Sequence, residues 1–238
     1  MEIIPVIDLM GGRVVHAKAG ERQNYQTIQS VLTKATDLLT VVADIVSFFP
    51  FKTLYIADLD GIAGKAIDVA QYQRCLAQFP DVTFWLDAGI RNQADWERLP
   101  VSERLVMVLG SESLRTLSLL EERRFCVLSL DFKQGQFIGE QRLLEQVELW
   151  PDKVIVMNLD RVGLNQGPDL VLLRTLREKK SVVNLIAAGG VRLEDITFLV
   201  EAGVEQVLVA SILHNGLLTR ECLKIISEPT PFRDELTE

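Results

Sequence analysis

Five polar residues close apolar, β-branched runs in this 238-residue chain: Asp8, Asp58, Asp87, Asp131 and Asn158. A polar side chain in that position either caps the loop or helix that follows or stands at the rim of a binding site, where a carboxylate can serve as acid or base. Asp8 and Asp131 occupy matching places in two similar halves of the chain, which sets an acid and a base on opposite sides of one bound molecule. Proton transfer at two separated atoms of a substrate is the chemistry that suits them, with Asp58, Asp87 and Asn158 as further candidate substrate contacts. A second set of residues suits an anion. Gly189-Gly190 and Ala210-Ser211 are small residues after late strands, where backbone N–H groups can meet a phosphate. Their counterparts one half-chain earlier are Gly89 with Arg91, and Gly110-Ser111. Glycine also serves tight strand-to-helix turns, so position has to support the reading. Two cradles imply a substrate with a phosphate at each end.

The elements that must position these residues are eight short runs without polar alternation, at 3–7, 53–57, 82–86, 105–109, 125–130, 153–157, 182–187 and 205–210. Such runs are the pattern of parallel strands buried on both faces. Segments of helical period lie between them, among them 67–79, 170–180 and 193–203. Eight β-then-α units predict an α/β fold, a single (β/α)8 TIM barrel over residues 1–228, with a solvated tail at 229–238. An open doubly wound sheet would normally carry a Gly-rich turn into a helix after its first strand, whereas Gly11-Gly12 opens another extended segment. A half-barrel internal repeat supports the count. Asp58-Leu59-Asp60 matches Asn158-Leu159-Asp160 and Gly110-Ser111 matches Ala210-Ser211, both at an offset of 100, and Ala88-Gly89-Ile90-Arg91 matches Gly189-Gly190-Val191-Arg192 at 101. Asp8 and Asp131 lie 123 apart, which leaves about 23 extra residues between the first two strands. That polar first loop falls where barrels bind their substrates and reads either as a substrate lid or as a surface hairpin.

A formal charge of −8 argues against broad affinity for nucleic acid or anionic membrane, and no apolar stretch is long enough to span a bilayer. Cys75, Cys126 and Cys222 are scattered and form no C-x-x-C pair, so neither structural zinc nor a disulfide framework is expected, and a reducing, cytoplasmic setting is. His16, Lys18 and Arg22 in the first loop are candidate substrate ligands, as are Lys65 and Arg161, with solvated charge as the plain alternative. His214 reads as structural, and Trp85, Trp96 and Trp150 as packing between strands and helices. Acids at one mouth would suit Mg²⁺, yet no carboxylate pair has diagnostic spacing, so no metal is expected. The oligomeric state is not legible.

Taken in order, IIPVIDLMGGRVVHAKAGE, YIADLDGIAG, GIR, LGS, LSLDFKQG, GGVR and VASILHNG resemble the histidine-biosynthesis barrels, the HisA ribonucleotide isomerase and its relative the HisF cyclase. The resemblance covers the whole chain. It implies Asp8 as general base and Asp131 as general acid in an Amadori-type conversion of an aminoaldose phosphate to an aminoketose, without metal or organic cofactor, on a small-molecule substrate carrying two phosphates. Several positions depart from the family pattern. Where the isomerase has a threonine at the end of strand six and then a D-G-T motif, this chain has Met157 and Val162; where it has G-G-G-I-R after strand three, this chain has Asp87-Ala88-Gly89-Ile90-Arg91; after strand eight a glycine is Ala210 and an aromatic is His214. Asp87 would repel a phosphate in the second cradle unless protonated or paired, with Arg91 as the available partner. These changes, with Arg22 and Tyr25 in the first loop, resemble a HisA-like branch that accompanies genes for methanopterin-type one-carbon cofactors, which implies a related but different phosphorylated substrate. A barrel that binds a phosphorylated ligand without turning it over is the reading from another class.

Overall fold

The computed structural model describes residues 1–121 and 126–228; the tail expected at 229–238 lies outside the described residues. Eight strands run in chain order as β1 (Glu2–Met10), β2 (Thr53–Asp58), β3 (Thr83–Asp87), β4 (Leu105–Gly110), β5 (Cys126–Lys133), β6 (Lys153–Asn158), β7 (Asn184–Ala188) and β8 (Gln206–Val209). Each pairs in parallel with the next, and β8 pairs with β1, Glu2 opposite Gln206 and Pro5 opposite Val209, so the sheet closes into the expected (β/α)8 barrel.

Closure sorts every strand into two sets of side chains. Ile4, Tyr55, Trp85, Val108, Val127, Ile155, Ile186 and Leu208 point inward and fill the barrel as one buried cluster. Their neighbours Ile3, Leu54, Phe84, Leu109, Leu128, Val154, Leu185 and Val207 point outward into the layer beneath the helices. Trp85 thus packs inside the barrel and not, as expected, between strand and helix. The outer helices start where a side chain can take their free N–H groups: Asp37 caps Leu38–Phe48, Asp68 caps Val69–Gln78, Asp169 caps Leu170–Lys179 and Thr219 caps Arg220–Ser227. Such caps are each worth about 1 kcal/mol. Asp68 also explains why the helix expected at 67–79 begins two residues later. Strand seven likewise begins at Asn184 and not at 182, where Val182 is 87% exposed. No helix among the described residues is long and apolar enough to cross a membrane.

The two halves share more than the offsets suggest. β1 and β5 both overrun the barrel and fold back as hairpins, Arg13–His16 onto β1 with Asp8 opposite Val15, and Gln136–Ile138 onto β5 with Asp131 opposite Ile138. The hairpin turns are tied down alike: the N–H of Gly11 donates to Asp60 Oδ2 and that of Gln134 to Asp160 Oδ2, both at 2.5 Å. The extra residues of the first loop therefore lie beyond the hairpin, at 17–37. They are strapped over the mouth by Ala19 N–H to the Val162 carbonyl (2.8 Å) and Val31 N–H to the His214 carbonyl (2.9 Å). Replacing Asp60 or Asp160 by Ala removes the charge-assisted bond that holds a hairpin at the mouth, with Asp60 also losing its exposed ion pair to Lys65, and each change is expected to cost about 1 kcal/mol. The check is a lowered urea midpoint with an unchanged denaturant slope.

Candidate active site

The inward set ends at the C-terminal mouth in Asp8, Ala57, Asp87, Gly110, Asp131, Met157, Ala188 and Ala210, one from each strand or the residue just after it. The strand register sets Asp8 beside Ala57 and Ala57 beside Asp87, and Asp131 beside Met157 and Met157 beside Ala188. Asp8, Asp87 and Asp131 thereby open on one cavity of about 350 Å³, closed above by Ala17, Gly20, Arg22 and Tyr25 of the first loop. Gly110 makes the crowding possible: a Cβ there would stand 3.0 Å from Asp87 Oδ2 and 3.6 Å from Asp131 Oδ2.

Burial sets the proton affinity of this ring. Loss of water pushes Asp8 up to about 7, opposed by the positive charge of Arg22. Asp87 is pushed up to about 7 by burial first and by the neighbouring charge of Asp131 second. Asp131 rises to about 6, because burial outweighs the hydroxyls of Ser129 and Ser111, which donate to its carboxyl at 2.8 and 3.0 Å. Asp8 has no comparable donors among the described residues. Donors favour the ionised form, so their placement makes Asp131 the readier of the two to carry the charge and Asp8 the readier to keep a proton. That order is the reverse of the roles implied by the resemblance.

Only one of the two expected anion cradles has donors to give. Gly189, Gly190, Ala210 and Ser211 line the cavity, and among the described residues the N–H groups of Gly190, Ser211 and Ile212 donate no hydrogen bond. At the matching positions they are taken: Gly89 N–H by Asp87 Oδ1 (3.1 Å), Ser111 N–H by the Ser129 carbonyl (2.8 Å) and Glu112 N–H by Asp131 Oδ2 (3.4 Å). Gly89 is packed against Gly61 and Ile62, where a Cβ would meet backbone at 2.5 Å, and Ser111 is fully buried. Arg91 neither reaches the cavity nor pairs with Asp87; its guanidinium donates to the carbonyls of Gly61, Ile62 and Gly89. The second cradle is thus a braced loop with an acid in it, and the inference of a substrate with a phosphate at each end loses its structural basis.

Other candidates sort by strand phase. Asp58 and Asn158 are one residue out of step with the inward set, so they face outward and cap the turns after β2 and β6, taking the N–H of Asp60 and Asp160 at 3.1 Å each. Asp58 also accepts the Tyr72 hydroxyl, and Asn158 donates to Asp169. Neither touches the cavity. Lys18 lines a neighbouring cleft of the first loop, Arg161 is spent on the carbonyls of Gly167 and Pro168, and Lys65 pairs with Asp60. His16 and Arg22 do line the cavity, His16 half-buried with its basicity lowered by burial and by Lys18. His214 is in the wall, held neutral with a pKa lowered to about 4 by burial and bonded to Ser30 Oγ. The sequence reading missed Glu112, Tyr55 and Lys133, which line the same cavity. Glu112 was detectable, since its repeat counterpart one hundred residues on is the apolar Ile212. Among the described residues no three acids, histidines or cysteines gather as a metal site.

Arg91→Ala is expected to leave the carbonyls of Ile62 and Gly89 without their guanidinium donor, Gly61 keeping the N–H of Gly64, and to cost about 1–3 kcal/mol in urea unfolding, while inorganic phosphate binds as before. Asp87 binds its proton in the folded chain up to about pH 7, far above the unfolded value of 3.8, so its contribution to stability is present below pH 3.8 and lost as pH rises through 7. Asp87→Asn is therefore expected to raise the urea midpoint at pH 8 relative to the parent by more than it does at pH 4, other groups being common to both proteins.

Residues 2–219 match the family model described as histidine biosynthesis protein. An uncharacterised protein of Methanocaldococcus jannaschii is 29% identical across 93% of this chain and 96% of its own length. Proteins of Methanosphaerula palustris and Methanosphaera stadtmanae, both named 1-(5-phosphoribosyl)-5-((5-phosphoribosylamino)methylideneamino) imidazole-4-carboxamide isomerase, are 28% and 25% identical across 95% and 93% of this chain and 100% and 97% of their own. With its closed barrel, its repeated hairpins and a family match over nearly its whole length, the chain belongs to the histidine biosynthesis protein family.

Proposed function

We propose that this protein is an acid–base isomerase that carries out an Amadori-type aldose–ketose rearrangement on a phosphorylated ribosyl or aminosugar compound. The observation that carries the reading is the pair Asp8 and Asp131, set by matching hairpins on opposite sides of one cavity whose far wall offers the unspent N–H groups of Gly190, Ser211 and Ile212. Those N–H groups take the phosphate and fix the sugar. One carboxyl gives its proton to the ring oxygen, which opens the ring to an iminium at C1; the other removes the proton from C2. The resulting enaminol closes to the ketone as C1 gains a proton and the C2 hydroxyl loses one, so atoms balance without oxidant or reductant. The hydroxyl donors on Asp131 favour it as the carboxyl that accepts and Asp8 as the one that gives; the resemblance implies the opposite order.

Of the departures from the isomerase pattern, Met157, Val162, Asp87, Ala210 and His214 line the cavity wall, and Ala88 lies outside it. This favours a substrate different from the one in the relatives' name, and a place in methanopterin-type one-carbon cofactor synthesis is the setting we propose for it.

The test follows ketose formation, and exchange of the C2 proton into D₂O, by NMR. The substrates are the relatives' aminoaldose and N-aryl 5-phosphoribosylamines prepared from ribose 5-phosphate and aromatic amines. Asp8→Asn and Asp131→Asn are each expected to lower the rate about 10²–10⁴-fold with folding and phosphate affinity kept. The rate should rise as pH passes about 6 and fall as it passes about 7, the values of Asp131 and Asp8; the variant lacking the base loses the rising limb, the one lacking the acid the falling limb. Binding without ketose or exchange from any of these compounds would overturn the isomerase in favour of a phosphate-ligand-binding barrel.

A further inference from the structure

The half-repeat puts the same backbone turn on both sides of the cavity, yet the two sides now offer opposite chemistry. Beyond β7 and β8 the wall presents donors. Beyond β3 and β4 the N–H groups of Gly89 and Ser111 are consumed within the chain, that of Glu112 is turned onto Asp131 Oδ2 in a long contact of 3.4 Å, and Arg91 is turned away onto three carbonyls. What this second wall presents instead is acceptors. Asp87 is only 6% exposed, and among the described residues the donor to its Oδ2 is the Tyr55 hydroxyl at 3.4 Å. A formed O–H···O bond is roughly 2.5–3.0 Å, so the inner oxygen has unfilled capacity facing the cavity. Glu112 opens on the same space and already holds a cation there, the Arg22 guanidinium of the first loop at 2.7 Å. Four acids line the cavity, Asp8, Asp87, Glu112 and Asp131, against the two cations Arg22 and Lys133. A buried carboxylate oxygen held by one long bond keeps a lone pair for a further donor, and a carboxylate at that point disfavours a second phosphate.

We propose that the substrate carries a single phosphate, seated beside Gly190 and Ser211, and at its other end a basic nitrogen group, such as an amine or amidine, that Asp87 and Glu112 receive. The proposal rests on the phosphate-binding isomerase read above and names its substrate class. Arg22 stands against Glu112 where that positive group belongs, and the incoming nitrogen takes over this contact.

Three probes of equal chain length separate the possibilities by calorimetry on the full chain: pentyl phosphate, 5-aminopentyl phosphate and pentane-1,5-diyl bisphosphate. The amine is expected to bind roughly tenfold more tightly than pentyl phosphate, and the bisphosphate no more tightly. Asp87→Asn and Glu112→Gln should each reduce the advantage of the amine and leave pentyl phosphate unchanged. Melting temperatures are read first, and Glu112, whose side chain is 25% exposed, carries the test should Asp87→Asn fail to fold. Bisphosphate binding that exceeds pentyl phosphate and is lost in Arg22→Ala would make Arg22 a second phosphate clamp and overturn the proposal, as would equal binding of amine and pentyl phosphate. Either result leaves the isomerase reading standing; failure of all three probes to bind removes the phosphate reading and this proposal together.

Discussion

Everything at the mouth of this barrel depends on the two-residue alternation of its strands. A closed parallel sheet gives each side chain one of two fates, the barrel interior or the layer under the helices, and a shift of one residue exchanges them. Along β1 the inward series is Ile4, Val6 and Asp8; along β5 it is Val127, Ser129 and Asp131. Hydrophobic residues lower in each series anchor the phase, because reversing it would expel Ile4 or Val127 from a filled interior. The acids are carried into the cavity by the packing beneath them. The same rule removes Asp58 and Asn158, which close their strands in the opposite phase and find work as caps.

A duplicated scaffold then allows the two sides of the cavity to diverge without disturbing the frame. Asp60 and Asp160 hold the two hairpin turns identically, and Asp95 and Asp195 take the N–H groups of Arg91 and Arg192 at 3.0 and 2.8 Å. These paired bonds keep the backbone of the halves alike. Within that frame only side chains decide whether a turn offers donors. Gly89 and Gly190 adopt similar left-handed conformations, φ +66° and +72°, yet Asp87 bonds the N–H of Gly89 whereas Ala188, the counterpart of Asp87 at the top of β7, has nothing with which to reach Gly190.

Much of this was legible in the sequence. Eight apolar runs, the offsets of 100 and 101, and the opposed Asp8 and Asp131 pointed to a barrel, a repeat and two acids on one cavity, because periodicity and chain order survive translation into a closed sheet. Strand phase was legible too, at Asp58 and Asn158, but it requires extending alternation through the last residue of each run instead of taking whichever polar residue closes it. The fate of individual N–H groups was not legible. Gly89 and Gly190 look equivalent as letters, and nothing local says that Arg91 turns to three carbonyls or that Ser111 is sealed beneath Asp131. Glu112 escaped because an acid after a small-residue turn looks like an ordinary helix start until Arg22, ninety residues earlier, is found against it.

The departures from the isomerase pattern make physical sense as a relocation of charge. Val162 stands where the resemblance expects an aspartate on the strand-six side, and Asp87 places one on the strand-three side; both line the cavity. Met157, beside Asp131 in the sheet, puts a thioether where a hydroxyl was expected and so leaves the hydroxyl donors of that carboxyl to Ser129 and Ser111. Burial, the largest cause of the raised proton affinity of Asp8 and Asp131, is therefore preserved while the pattern of partners around the ligand is redrawn. Acid–base chemistry requires that two carboxyls face each other in a dry cavity and differ in protonation near neutrality. Recognition requires that the walls between them match the ligand's ends. The two demands draw on different residues of the same ring, so on the proposed reading Asp8 and Asp131 can be held while the wall after β3 changes the ligand end it receives.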